Sequence, residues 1–246
     1  MAAASETMSR AAWPAERVFF WWMTVAMATV VLVGFSRSFF LHPFFPDRHV
    51  PPETFFMIHG TVYAAWFALL VTQASLVTTG RLKIHRQLGV FGACLAVAMV
   101  ILGVRAGLIG AHRASGFVDV EVPPLVFLSV PLIEMLVFAV LVTLAIVKRG
   151  DPPSHKRLML IASAGLLSAA FARWPIVGAG GPLAFFGMTD LFVLALLIWD
   201  RKSQGRIHPV TKWAGGASVL SQPLRLALAA TPVWMAFAHW AVSLVD

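Results

Sequence analysis

The stretch HGTVYAAWFALLVTQASLVTTGRLKIHRQLG, residues 59–89, decides the fold class. Its first two thirds are mostly apolar and about as long as the ~20 residues that a helix needs to cross a bilayer. One helix face carries polar and aromatic side chains at helical spacing: His59, Tyr63, Trp66 and Gln73. A second face carries small residues four apart, which lets helices pack closely in lipid: Gly60, Ala64 and Ala68. The stretch therefore predicts a transmembrane helix with one packing face and one polar face.

The composition of the whole chain supports a membrane protein. Of its 246 residues 59% are apolar and 12% are charged, and the mean hydropathy is +0.81. A soluble domain would carry roughly a quarter charged residues. The net charge of +8 lies mainly in short links between apolar runs, which predicts contacts with anionic lipid headgroups and no nucleic-acid partner. Cys94 is the single cysteine, so no disulfide forms within the chain.

The apolar runs predict an all-α, polytopic bundle of seven transmembrane helices. The expected helices cover about residues 17–40, 55–79, 88–108, 124–147, 158–174, 182–199 and 224–244. Residues 1–16 are expected to form a flexible or interfacial arm, and residues 17–246 a single transmembrane domain. The first apolar run is too long for a signal peptide and no cleavage site follows it, so we expect it to be retained.

The distribution of basic residues predicts the orientation of the bundle. Three links between predicted helices are basic: the second-to-third (Arg81, Lys83, Arg86), the fourth-to-fifth (Lys148, Arg149, Lys156, Arg157) and the sixth-to-seventh (Arg201, Lys202, Arg206, Lys212). Basic links favour the cytoplasmic side. We therefore expect a multi-pass protein of the bacterial inner membrane, with its N-terminus in the cytoplasm and its C-terminus outside.

Two acidic residues fall inside predicted membrane helices. Glu134 lies 14 residues before Lys148, and Asp190 lies 11 before Arg201. These separations place the acids roughly 21 and 16 Å from the inner membrane edge. The predicted outer-half polar cluster comprises His59, Tyr63, Arg105, Glu134, Arg173 and Asp190. Carboxylates in a membrane mark functional sites or are structural partners that lock helices together, and both interpretations remain open.

A second candidate site consists of His85 and His155, which stand at the inner ends of two predicted helices. Two imidazoles at equal depth on different helices are the axial ligands that a six-coordinate b-type haem requires. Both histidines have basic neighbours in the sequence, so contact with lipid headgroups is the alternative interpretation. No other metal site and no nucleotide-binding or zinc-protease motif is present in the sequence.

Three sequence segments carry a resemblance to known proteins. The pattern HG-x5-WF-x-LL-x2-Q-x2-L-x3-GR-x3-HR-x-LG, with SHKRLML at 154–160 and IHPVTKW at 207–213, resembles an uncharacterised family of bacterial seven-helix membrane proteins. The histidine-bearing helix hairpins are loosely similar to di-haem cytochrome b membrane proteins, and that resemblance implies haem b and electron transfer. The fourth predicted helix departs from it, because it offers Glu134 and no histidine.

Three functional hypotheses follow, and the sequence leaves open whether the protein is an enzyme. The first is a b-type haem or quinone-linked electron-transfer protein that uses His85 and His155. The second is a proton-coupled transporter or small-molecule binder that uses Glu134 and Asp190. The third is a non-catalytic subunit or assembly partner, associated with another membrane protein or with further copies of itself.

Overall fold

A computed structural model describes residues 2–45, 54–117, 120 and 122–245. These residues form helices and turns, with no β-strand among them, so the all-α prediction is confirmed. In this part of the chain five helices are long and apolar enough to cross a membrane, and a sixth span is counted if one bent helix pair is included. The protein is therefore a helix bundle compatible with several passes through a membrane.

The described residues form eleven α-helices. They are α1 (Ala2–Gly34), α2 (Thr54–Thr78), α3 (Leu82–His112), α4 (Pro124–Phe127), α5 (Ser129–Val147), α6 (Pro152–Gly165), α7 (Ser168–Phe171), α8 (Pro175–Ala179), α9 (Gly181–Gln204), α10 (Gly216–Ala229) and α11 (Pro232–Val242). There are also two π-helical turns among the described residues: Ser36–Phe40 follows α1, and Thr211–Gly215 leads directly into α10.

The first helix is shifted toward the N-terminus relative to the expected 17–40. α1 runs back to Ala2, through the residues expected to form the arm, and its apolar span is Ala15–Gly34. At its far end α1 packs very closely against α7, since a Cβ placed on Gly34 would lie 2.5 Å from the backbone oxygen of Ala170. Only glycine permits this approach of two helix backbones.

The centre of the bundle is the element predicted as helix 158–174. The structure divides it into α6 and α7, with a short break at Leu166 and Leu167. Its side chains are almost continuously buried from Arg157 to Ser168. Helices α1, α5 and α9 pack around this element, so its interior position follows from contacts on every side.

The structure differs most from the prediction at the C-terminal end. In place of one helix over 224–244, the segment Thr211–Ala229 packs against α5 and α6, and the chain then bends by 87° into Pro232–Val245. The bend has a local cause, because the Thr231 side chain caps the new helix by accepting a hydrogen bond from the Trp234 amide, and Pro232 occupies the first helical position. The Trp234 indole then donates to the Leu125 carbonyl at 2.8 Å, which fastens α11 across the end of the bundle.

The basic links lie together at one end of the bundle. Lys156 pairs with Glu16 of α1 at 2.5 Å, and Arg157 pairs with Asp200 of α9. His85 of α3 contacts His155 of α6 at the same end. This grouping is the arrangement expected if the basic links share one membrane face.

Candidate functional site

A cavity of about 370 Å³ lies among α1, α2, α3, α5 and α7, toward the bundle end away from the basic links. We call it the aromatic cavity because eight phenylalanines line it: Phe35, Phe39, Phe40, Phe56, Phe67, Phe117, Phe127 and Phe185. Four members of the predicted polar cluster also line it: His59, Tyr63, Glu134 and Arg173. Its volume falls at the lower end of the ~300–1,000 Å³ typical of small-molecule sites.

His59 and Tyr63 form one polar wall of the aromatic cavity. They lie one turn apart on α2, so their rings stack with centroids 4.2 Å apart. The Tyr63 hydroxyl lies 3.0 Å from the Met99 carbonyl oxygen, to which it donates a hydrogen bond. His59 Nδ1 is buried and has no hydrogen-bond partner. This arrangement holds the ring in place and leaves one nitrogen able to interact with a ligand.

Glu134 forms the opposite polar wall and pairs with Arg225, a residue outside the predicted cluster. Arg225 Nη1 donates to Glu134 Oε2 at 2.8 Å, and the Arg225 side chain is 1% exposed. The second carboxylate oxygen, Oε1, is buried without a partner. It lies against Gly165, where an added Cβ would come 2.1 Å from that oxygen, so the glycine provides the space for the carboxylate.

The last predicted membrane helix, 224–244, has Arg225 at its start, which is why Arg225 is absent from the predicted cluster. In the structure it lies 14 residues after Thr211, while Glu134 lies 14 residues before Lys148. The two residues therefore stand at the same depth, roughly 21 Å from the basic end of the bundle. The sequence feature that points to Arg225 is its position within an apolar run, since a charged side chain inside a membrane requires a partner.

The structure separates two members of the predicted cluster from the aromatic cavity. Asp190 lies in a different groove of about 560 Å³ between α9 and α10, where Gln222 donates to it at 2.7 Å. Arg105 is exposed and lies over the Phe55 ring at 5.3 Å.

Arg173 lines the cavity, but it contacts the Phe35 ring and donates to a carbonyl of its own helical segment. The hydrogen bond and ion pair of Glu134 are made with Arg225, and neither Arg105 nor Arg173 takes part in them.

The two inner histidines do come together. Their ring centroids are 6.4 Å apart and the ring planes are nearly perpendicular, at 85°. His155 Nδ1 lies 2.8 Å from the Ala145 carbonyl oxygen. His85 Nδ1 is buried and has no partner. His85 of α3 and His155 of α6 are therefore close neighbours at the basic end of the bundle.

Beside these histidines lies a buried ion-pair network that the sequence analysis did not predict. Arg157 and Asp200 are both 0% exposed, and Arg157 donates to Asp200 through two nitrogens. Asp200 also accepts from the Thr211 hydroxyl at 2.5 Å and from the His208 amide at 3.2 Å. The SHKRLML and IHPVTKW segments thus meet at one carboxylate. Since every polar group of this carboxylate is satisfied within the protein, the network is structural.

Two titratable groups lie near this network, outside the apolar spans. Hydrogen bonding by Ser154 lowers the pKa of Asp151, which caps the N-terminus of α6. Burial lowers the pKa of His208, and the positive charge of Arg157 adds to the effect. Both shifts favour a carboxylate and a neutral imidazole at this end of the bundle.

Comparison of the chain with family models, curated proteins and solved structures gave no match. In the part of the chain that the structure describes, no three His, Cys, Asp or Glu side chains converge as a metal site would require.

Proposed function

We propose that the chain is a seven-pass protein of the bacterial inner membrane, with the basic end of the bundle in the cytoplasm. Two elements supply crossings beyond the five long apolar helices. Residues 152–171, which form α6 and α7, measure roughly 30 Å, and residues 211–229 measure roughly 28 Å at the helical rise. Both lengths are close to the hydrocarbon thickness of a bilayer. In this arrangement α11 lies along the outer surface and the C-terminus is outside.

We further propose that the protein binds a small, mostly apolar molecule with hydroxyl groups in the aromatic cavity. The observation that carries this proposal is a pair of buried, unpartnered polar atoms, His59 Nδ1 and Glu134 Oε1, on residues that line one aromatic-walled cavity. A buried polar atom without a partner costs about 1–3 kcal/mol. A ligand that supplies hydrogen-bond donors to these atoms would recover that cost.

The charges around the cavity define the ligand class. Glu134 accepts hydrogen bonds, and His59 Nδ1 accepts one when its other nitrogen carries the proton. Arg113 and Arg173 also line the cavity, and Arg225 offsets the charge of Glu134, so a cationic ligand is disfavoured. A neutral ring compound with hydroxyl donors satisfies these conditions. A membrane quinol belongs to this class, consistent with a quinone-linked protein.

The same geometry favours ligand binding over proton-coupled transport. Glu134 and Asp190 would have to share a pathway for the transport hypothesis, yet they occupy separate spaces. Glu134 is also held in an ion pair with Arg225, so its carboxylate already has a fixed partner inside the protein. A purely structural subunit would not require an aromatic cavity with unpartnered polar atoms.

The test is titration of the detergent-purified protein with a short-chain benzoquinol, followed by tryptophan fluorescence or calorimetry. Ala106→Phe fills the cavity and is expected to abolish binding, since Ala106 lines it. His59→Leu removes one acceptor and is expected to weaken binding roughly 2- to 10-fold, the value of one hydrogen bond. Ala68→Phe, on the exposed face of α2, is the matched control and should bind as wild type does.

Two results would overturn this proposal. The first is equal quinol binding by wild type and Ala106→Phe. The second is the absence of binding by wild-type protein that is monodisperse and melts cooperatively.

A further inference from the structure

We propose that Ser38 is a further ligand-binding residue of the aromatic cavity, and that the bound molecule carries a hydrogen-bond acceptor, a carbonyl or ether oxygen, in addition to its hydroxyl groups. This inference rests on the proposed function, because it concerns the same cavity. It adds a donor to a site whose two other unpartnered atoms, His59 Nδ1 and Glu134 Oε1, accept hydrogen bonds. Three features of the described residues support it: the unpartnered hydroxyl of Ser38, the backbone turn that carries it, and its position relative to Glu134.

The Ser38 hydroxyl is buried and has no hydrogen-bond partner among the described residues, and Ser38 lines the aromatic cavity. A serine or threonine in a helix commonly donates its hydroxyl proton to a carbonyl three or four residues back. Ser36 does so with the Val33 carbonyl at 2.7 Å, and Thr61 with the Met57 carbonyl at 2.8 Å. Ser38 makes no such bond, so its hydroxyl proton is available to a molecule in the cavity.

The backbone around Ser38 departs from α-helical geometry. Residues Ser36–Phe40 form a π-helical turn, in which the Leu41 amide donates to the Ser36 carbonyl, five residues back, at 2.7 Å. This wider turn shifts the carbonyls that an α-helix would place beneath the serine hydroxyl. Single π-helical turns are frequently found at functional sites. The turn therefore accounts for a buried hydroxyl that bonds to no carbonyl of its own helix.

Phe39 fixes this turn against α2, beside His59. A Cβ placed on Gly60 would lie 2.5 Å from the Phe39 ring, so the ring rests directly on the α2 backbone. Gly60 follows His59 in the sequence, and Ser38 precedes Phe39. Ser38 and His59 therefore lie at the same end of the aromatic cavity.

Glu134 lies further into the bundle than Ser38 and His59. Tyr63 is one helical turn deeper on α2 than His59, and its hydroxyl lies 3.0 Å from the sulfur of Met135, the residue that follows Glu134. The unpartnered atoms thus stand at two levels of one cavity, with a carboxylate oxygen at the inner level and a hydroxyl beside an imidazole at the outer level. A ring compound with a hydroxyl at one end and an oxygen acceptor at the other satisfies both levels.

The experiment compares two phenols of nearly equal size, 4-methoxyphenol and 4-ethylphenol, by calorimetric titration of the full chain in mild detergent. Both phenols carry the hydroxyl that Glu134 accepts, and only 4-methoxyphenol carries an ether oxygen to which Ser38 can donate. We expect wild type to bind 4-methoxyphenol roughly 2- to 10-fold more tightly, the value of one hydrogen bond. Ser38→Ala should abolish this preference by weakening the binding of 4-methoxyphenol alone.

Ser36→Ala is the matched control. It removes a hydroxyl from the same turn, but that hydroxyl is bonded to the Val33 carbonyl, and Ser36 is not among the residues that line the cavity. This variant should keep the wild-type preference between the two phenols. Because the preference is a ratio measured on one protein sample, a partial loss of folded protein does not change it.

The inference is overturned if Ser38→Ala keeps the wild-type preference, if Ser36→Ala loses it as well, or if wild type binds the two phenols equally. Loss of both phenols in Ser38→Ala would also overturn it, since the residue would then support the cavity itself rather than one ligand atom. In each of these cases wild type still binds a phenol, so the proposed function stands. Failure of the proposed function gives a different result, in which wild type binds neither phenol and no benzoquinol.

Discussion

Replacing Arg225 with methionine tests the buried ion pair that closes one wall of the aromatic cavity. Arg225 donates to Glu134 at 2.8 Å, to the Ser221 hydroxyl at 2.7 Å and to the Val130 carbonyl at 3.4 Å. The substitution leaves the Glu134 carboxylate buried with neither oxygen hydrogen-bonded. Breaking a buried pair by removing one partner costs about 3–5 kcal/mol. We expect Arg225→Met to reduce the free energy of unfolding by that amount.

A double-mutant cycle isolates the interaction from the loss of packing. The cycle combines Arg225→Met with Glu134→Leu, and replacing both partners by apolar residues should restore stability to within about 1–2 kcal/mol of wild type. The assay is reversible unfolding in mixed detergent micelles, followed by tryptophan fluorescence. A single Arg225→Met cost below about 1 kcal/mol, or strictly additive effects of the two substitutions, would refute this account of the pair.

Three further substitutions test other parts of the structure. Asp200→Ala removes the carboxylate that Arg157 contacts through two nitrogens and leaves the fully buried arginine with only Glu16, at 3.8 Å, as an ionic partner. The unfolding free energy should fall by about 3–5 kcal/mol, and a change near zero would show that the network contributes nothing. Gly34→Ala places a Cβ against the backbone of Ala170 and should lower the unfolding free energy by about 1–3 kcal/mol. Gly187→Ala is the control, because its Cβ would face open space, and it should lower the unfolding free energy far less in a parallel melt. Asp151→Ala should lower the melting temperature at neutral pH, where the Asp151 carboxylate caps α6. The pKa of Asp151 is lowered in the folded protein, so the difference in melting temperature between variant and wild type should vanish as the pH falls below the ordinary aspartate range. A difference that persists in acid would contradict this assignment.

The sequence predicted the helices well wherever one long apolar run forms one helix. The runs that became α2, α3, α5 and α9 contain no competing start signal, and the structure places helices there. The C-terminal run was misplaced because apolar character alone does not show where a helix enters the membrane. Thr231 and Pro232 form a helix-start signal within that run, and the chain bends at this point.

The candidate site was predicted in part, for a related reason. The prediction groups His59, Tyr63 and Glu134 because the helical rise gives the depth of each residue along its helix. The structure places all three around the aromatic cavity. Asp190 has a similar depth but faces a different groove, and rotation about the bundle axis cannot be read from depth. The partner of Glu134 required the correct register of the last helix, which is why Arg225 emerged only from the structure.

The measurement that most directly tests the central claim is native mass spectrometry of the protein released from nanodiscs made with bacterial lipid. We predict that wild type retains a small hydroxylated apolar molecule, and that Ala106→Phe, purified in parallel and equally folded, retains none. The same bound species in equal amount on both proteins, or no bound species on wild type even after addition of benzoquinol, would contradict the assignment of the aromatic cavity as a ligand site.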